Sequence, residues 1–154
     1  ASWWRHILEP YAAATGGRYV PVNKPLETMG VEDGQADLIL LGPGSFLTSL
    51  LPPLLVPELA QAIRDSQARF VFLANLAPEP GPVGQLSLAE QLAWIGRLIG
   101  RRVDCVLAAQ NVAEQSLPCH RADLAEANCH WRHDREKLLR ALEQLLMPQP
   151  VSTQ

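Results

Sequence analysis

The 154-residue chain has no long uninterrupted apolar run, no block of one charge sign and no framework of cysteines. Its longest apolar stretches are cut by Gly42, Pro43, Pro52 and Pro53. No segment therefore reaches the ~18 apolar residues that a membrane helix requires. The formal net charge is −3, and Arg101, Arg102 and the arginines between 132 and 140 are dispersed among acids. This argues against non-specific binding to nucleic acid or to anionic lipid. The three cysteines, Cys105, Cys119 and Cys129, are an odd number at no framework spacing. Reduced thiols in a cytoplasmic protein are the simplest reading. The opening ASWWRHILEP has no charged region followed by a long apolar core, so no signal peptide is expected. It also lacks Met, as in a processed chain or a part of a longer one.

What is present is the composition of a single globular domain, with 47% hydrophobic and 19% charged residues. A domain of this size buries roughly 70% of its unfolded surface. Residues 1–35 are the least readable. Trp3 to Leu8 reads as a short strand, and a short helix is expected near Leu26 to Met29, among glycines and prolines. From residue 36 the pattern sharpens. ADLILL (36–41), RFVFLANL (69–76) and VDCVLAA (103–109) are short apolar runs bounded by turn residues, the mark of buried strands. Between them lie a helix from residue 45 that Pro52-Pro53 interrupts, and a second with Pro57 in its first turn, where the missing N–H is not needed. The Pro/Gly loop APEPGPVG (77–84) precedes a helix that Ser87 and Glu90 open as a capping box and Gly100 ends. A short helical turn is expected near 121–127. The last helix, HDREKLLRALEQLL, takes Asp134 as N-cap and Leu138, Leu142, Leu145 and Leu146 as its buried stripe. Strands alternating with long helices predict a parallel sheet covered on both faces.

The junction ADLILLGPGSFLTSLLP is the candidate site. In an open parallel sheet, ligands bind beyond the carboxyl ends of the strands, and GPGS lies there. Gly42 and Gly44 let the backbone approach a ligand closely. The N–H groups of Gly44, Ser45 and Phe46 at a helix start suit a phosphate or another anion, and the hydroxyls of Ser45, Thr48 and Ser49 add donors. A tight strand-to-helix turn with Ser45 as N-cap accounts for the same residues. There is no Walker lysine, and Leu47 stands where G-x-G-x-x-G would need glycine. Asn75 and Asn111 end or follow the second and third strands, where a carboxamide can both donate and accept at a ligand edge.

The remaining constellations favour structural roles. Cys119-His120, Cys129-His130 and His133 fit no zinc spacing, and no metal is expected. His133 reads as packing beside the Asp134 cap. Glu79, a lone loop carboxylate beside the cleft, reads as solvated. Asp37 reads as structural. Trp3, Trp4, Trp94 and Trp131 have no stacking-platform spacing.

ADLILLGPGSFLTSLLPPLLVPELAQAIRDS closely resembles a signature of the CofD-like family, which includes the bacterial gluconeogenesis factors of the YvcK and YbhK type and the 2-phospho-L-lactate transferases. The resemblance continues through FVFLANL and VDCVLAA to WRHDREKLLRALEQLL, about residues 36–147, with a fainter echo in HILEP. APEPGPVG lacks the Thr-Gln-Pro-Gly-Glu-Thr of many members and is similar to the YbhK branch. The family's N-terminal half carries a Gly-rich first loop and an Asp-Asn-Gly-Gly segment. Neither occurs here, so the chain resembles a C-terminal half. Leu47 replaces a family Tyr implicated in holding a UDP-sugar.

The resemblance implies a three-layer α/β/α Rossmann-like parallel sheet over residues 36–147, after an N-terminal segment (1–35) and before a tail (148–154). It tips Asn75 towards the pocket. It implies a regulator of carbon metabolism and cell-envelope growth that binds a phosphorylated small molecule or a nucleotide sugar, with no cofactor. Catalysis is not expected of this chain as it stands. The alternatives are a phosphotransferase of the 2-phospho-L-lactate transferase type, once a further N-terminal half is supplied, and an α/β fragment or interaction module without a ligand. An apolar sheet surface left bare by that missing half predicts self-association.

Overall fold

The computed structural model describes residues 19–21, 36–112 and 118–146, with only the backbone described for 19–21 and no side chain for Pro82 or Leu146. The expectations for Trp3 to Leu8, Leu26 to Met29 and the tail lie outside these residues. Strand β1 (Tyr19–Pro21) is followed by β2 (Leu38–Leu41), helix α1 (Phe46–Leu54), α2 (Pro57–Asp65) and β3 (Arg69–Leu73). A 3₁₀ turn (Pro82–Gln85), α3 (Leu88–Ile99), β4 (Cys105–Ala109) and β5 (Cys119–Ala122) come next. A hairpin of β6 (Ala125–Glu126) and β7 (Cys129–His133) leads into α4 (Arg135–Leu146).

Strands β1 to β5 form one sheet in sequential order, every pair parallel. Sequential order with crossovers of the usual right hand sends successive connections over the same face. The core shows this. Ile39, Leu41, Phe70, Phe72, Val106 and Ala108 pack on one side with Phe46, Leu50 and Leu54 of α1, Leu59 and Ile63 of α2, and Ile95 and Ile99 of α3. Alternate strand residues point the other way. Leu38, Leu40, Val71, Leu73, Cys105 and Leu107 pack against Leu124 and the Leu138, Ala141, Leu142, Leu145 stripe of α4. The fold is thus the expected α/β/α sandwich. No residue of β2 is left exposed, nor any of β3 or β4. This differs from the bare sheet surface that the sequence suggested: α4, with Leu124, covers the second face of these strands. The large apolar side chains that are exposed belong elsewhere, to Leu47, Leu55 and Val56 around α1, and to Trp94 and Trp131. Each tryptophan lies under an arginine, Arg97 at 4.6 Å and Arg132 at 5.2 Å from the ring centre, so neither packs in the core. Among the described residues no single helix is long and apolar enough to cross a membrane.

Three local expectations are corrected. Pro52-Pro53 does not interrupt α1. The first turn is a wide π turn, Phe46–Leu50, in which Leu50 N–H donates to the Ser45 carbonyl (3.1 Å) and Leu51 N–H to the Phe46 carbonyl. The α turn Leu51–Leu54 begins afresh after it, and the prolines enter in its first turn. There a missing N–H costs nothing. Near 121–127 the chain forms β5 and the start of a hairpin rather than a helical turn. As the last strand of the sheet, β5 is only half-buried and needs no continuous apolar run, which hid it among polar residues. The strands are also shorter than their apolar runs: β3 ends at Leu73, beyond which Ala74 N–H still donates to the Leu107 carbonyl of β4 (3.0 Å).

Other signals map directly onto structure. Ser87 Oγ accepts from Glu90 N–H (3.2 Å) while Glu90 Oε2 accepts from Ser87 N–H (2.8 Å), completing the capping box of α3. Gly100 closes that helix in the left-handed region. Asp134 Oδ1 accepts from Lys137 N–H (3.0 Å) at the start of α4. Arg101 ties α2 to the sheet, donating to the carbonyls of Ile63 (3.0 Å), Ser66 (2.8 Å) and Ala68 (2.6 Å).

Candidate functional site

The carboxyl ends of β2, β3 and β4 share one edge, because adjacent parallel strands end on the same side. GPGS follows β2, Asn75 follows β3 and Asn111 follows β4. Gly42 lies at φ 99° with its backbone against β3; a Cβ there would come within 2.5 Å of the Leu73 carbonyl oxygen. Only glycine lets the two strand ends approach this closely. The loop then meets Asn75, whose Oδ1 accepts from Gly44 N–H (3.2 Å) and whose Nδ2 donates to the Gly44 carbonyl (3.0 Å). Asn75 is therefore the brace of the loop as well as a residue of the cleft.

Two expectations about the loop are changed by this geometry. The N–H groups of Gly44 and Phe46 do not both face outward. Gly44 N–H bonds to Asn75, and Phe46 N–H donates to Glu79 Oε1 at 2.8 Å. Asn75 Nδ2 also reaches that oxygen, at 3.3 Å. Ser45 occupies the N-cap position of α1 but its side chain makes no capping bond. The cap is the carboxylate of Glu79, half-buried and not the solvated group that its loop position suggested. Carboxylate oxygen at a helix N-terminus gains from unpaired N–H groups and from the helix dipole. The loop carrying Glu79 is folded tightly, and a Cβ on Gly84 would collide with the Glu79 carbonyl. Ser45 is half-buried, and Thr48 and Ser49 are exposed beside the seat.

Beneath this loop lies a cavity of about 260 Å³, lined among others by Asn75, Glu79, Gln91 and Asn111. Of the named candidates, Gly42, Gly44, Ser45, Phe46, Asn75 and Asn111 are thus gathered at one sheet edge, with Thr48 and Ser49 one turn into α1. Glu79 and His133 also lie at this edge; the sequence reading gave Glu79 a solvated place beside the cleft and His133 a packing role beside the Asp134 cap. Burial holds the His133 imidazole below its ordinary 6.5, while a hydrogen bond with the Ala74 backbone acts in the opposite direction. That bond ties His133, the last residue of β7, to the residue before Asn75 at the end of β3. Its Asp134 neighbour was legible as a cap, but the reach of His133 across the sheet was not. Among the described residues no group of three His, Cys, Asp or Glu side chains is placed to hold a metal ion.

A sequential parallel sheet with a glycine-rich strand-to-helix loop at its carboxyl edge defines an open α/β type of domain, the edge being where ligands of such sheets bind. The family model for 2-phospho-L-lactate transferase CofD matches residues 21–150, and the chain belongs to the CofD family. A Vibrio cholerae protein described as "Putative gluconeogenesis factor" is 48% identical over 132 residues, covering 83% of this chain and 44% of the relative. A Pasteurella multocida protein of the same description is 39% identical over 117 residues, covering 73% and 38%. The chain therefore spans less than half the length of these relatives. A solved structure of a UPF0052 family member from Bacillus halodurans superposes with a TM-score of 0.62 at 26% identity, covering 78% of this chain and 46% of that one.

Proposed function

We propose that this chain is the ligand-facing part of a gluconeogenesis factor of the CofD family. In this reading it binds the phosphate end of a phosphorylated small molecule or nucleotide sugar, and the binding serves control of carbon metabolism and cell-envelope growth. The observation that supports it is the contact between Phe46 N–H and the Glu79 carboxylate (2.8 Å). The start of α1 already takes an oxygen anion, and a phosphate oxygen has the same requirement for N–H donors. Glu79 is on a loop, so an incoming phosphate can replace it without disturbing the sheet. The relatives' description favours regulation over catalysis. The description of the family model, a transferase, keeps phosphotransfer as the second reading for the longer proteins.

The test is thermal unfolding with inorganic phosphate and with a UDP-sugar. At about ten times Kd, a ligand bound only by the folded chain adds roughly 1.4 kcal/mol. Gly44→Val, whose side chain meets Ser49 and Leu50, should abolish the gain, and Ser45→Ala should weaken it. Equal gains in wild type and Gly44→Val would place the anion elsewhere. Self-association through the exposed Leu47, Leu55 and Val56 belongs to the same reading, and light scattering of the isolated chain, with Leu55→Glu as the dissociating variant, tests it.

A further inference from the structure

Helix α3 is apolar on more sides than its place on the sheet requires. Ile95 and Ile99 are buried against the sheet, and Leu88, Leu92 and Leu98 pack partly against the same cluster. A helix on the surface of a globular domain normally turns charged and polar residues outward. Of the twelve residues of α3 only Glu90, Gln91 and Arg97 are polar. The outward face carries Ala89, Ala93 and Trp94 between Glu90 and Arg97, all five exposed. Trp94 is 46% exposed even though the Arg97 guanidinium lies over its ring at 4.6 Å.

Beside this tryptophan the surface is hollow. An open groove of about 680 Å³ is lined by Ala89, Ala93 and Gly96 of α3 and by Val103 and Pro118, which precede β4 and β5. The packing of the chain does not demand glycine at 96. Beyond its own helix turn, a Cβ there would meet only the Arg101 carbonyl oxygen, at 3.7 Å, an ordinary contact. Glycine also weakens a helix interior relative to alanine. A protruding ring next to a hollow on one helix face suits an isologous contact, in which each copy offers the same patch to the other. The charges select its direction. Glu90 lies in the first turn of α3 and Arg97 in the last. Two copies packed antiparallel bring unlike charges and unlike helix ends together, whereas a parallel pair opposes like with like. The register that sets Glu90 opposite Arg97 of the partner subunit also sets Trp94 opposite the partner's Ala93, since both pairs are centred on the same point of the helix. The capping bonds that Glu90 accepts from Ser87 both use Oε2, which leaves Oε1 for this pairing.

We infer that the outer face of α3 is a two-fold interface between copies of this chain, with Trp94 of each copy seated against Ala93 and Gly96 of the partner subunit. A twelve-residue helix is about 18 Å long, so the contact falls at the small end of specific interfaces and the dimer is a weak one. The surface is distinct from the Leu47, Leu55 and Val56 side chains around α1, and it does not depend on the reading of the GPGS loop.

Sedimentation equilibrium of the whole chain carrying Leu55→Glu separates this contact from any at α1. A monomer–dimer equilibrium is expected at concentrations up to about 1 mM. Gly96→Leu fills the groove with a better helix former, so Tm should hold or rise while dimerisation weakens. Trp94→Ala should weaken dimerisation by about tenfold or more, as loss of a buried aromatic anchor does. Arg97→Glu and Glu90→Lys each set like charges opposite one another and should be monomeric alone. An equimolar mixture of the two should dimerise again, because the mixed pair restores both ion pairs. That rescue separates pairing from damage to the capping box. A chain that stays monomeric at about 1 mM would overturn the interface and leave this face to a different partner. Association unchanged by Gly96→Leu and Trp94→Ala would overturn it too, as would a mixture no more associated than its separate components.

Discussion

Glu79 gives the start of α1 an oxygen anion from within the chain, and two consequences follow for single residues. In Glu79→Ala, Phe46 N–H loses its acceptor. Loss of a helix cap costs about 1 kcal/mol, so the urea midpoint should fall accordingly. The same variant should bind phosphate more tightly than wild type, because the competing carboxylate is gone. A variant that is less stable but binds no better would mean that Glu79 is only a cap. His133 offers a pH signature. The folded chain holds its ring neutral by burial, whereas the unfolded chain takes up a proton as pH falls past 6.5. Protons bound more strongly by the unfolded state make stability rise with pH. The contribution is therefore complete above 6.5 and declines below it until the folded ring itself protonates. Between pH about 7.5 and 5.5, Tm should fall more steeply in wild type than in His133→Gln. Parallel slopes would refute this.

At the scale of elements, legibility followed the range of the interactions. The capping box of α3 lies within four residues, and Ser87→Ala should cost about 1 kcal/mol, read as a drop in the denaturation midpoint with unchanged slope. Strands β2 to β4 and helices α2 to α4 announced themselves through apolar runs and helical periodicity. The start of helix α1 was legible too, but its passage through Pro52-Pro53 was not, because that depends on a wide turn that no local preference encodes. Strand β5 and the β6–β7 hairpin were hidden because partly solvated strands carry mixed residues such as CHRA and CHWRH. The site divided in the same way. Glycines marked the GPGS loop, since close approach needs the absence of a side chain. The partner of Phe46 lies 33 residues away, so nothing adjacent in sequence revealed it.

At the scale of the whole molecule, the two faces of the sheet are built from different parts of the chain. Helices α1 to α3 lie between the strands they cover, whereas α4 arrives last and, with Leu124, covers the other face. The guanidinium of Arg69, at the start of β3, donates to the carbonyl of Leu145 near the end of α4. Cys105 lies in the cluster beneath α4, 6% exposed, while Cys119 and Cys129 are half-buried. This arrangement gives the molecule an internal clock. With Cys119 and Cys129 replaced by serine, a thiol reagent reaches Cys105 only when the helix above it lifts. The labelling rate therefore counts those openings. Leu142→Ala, which thins the contact, should speed labelling far more than Ile95→Ala on the other face, although both remove a buried side chain. Equal acceleration would show that the two faces open together, as one cooperative unit.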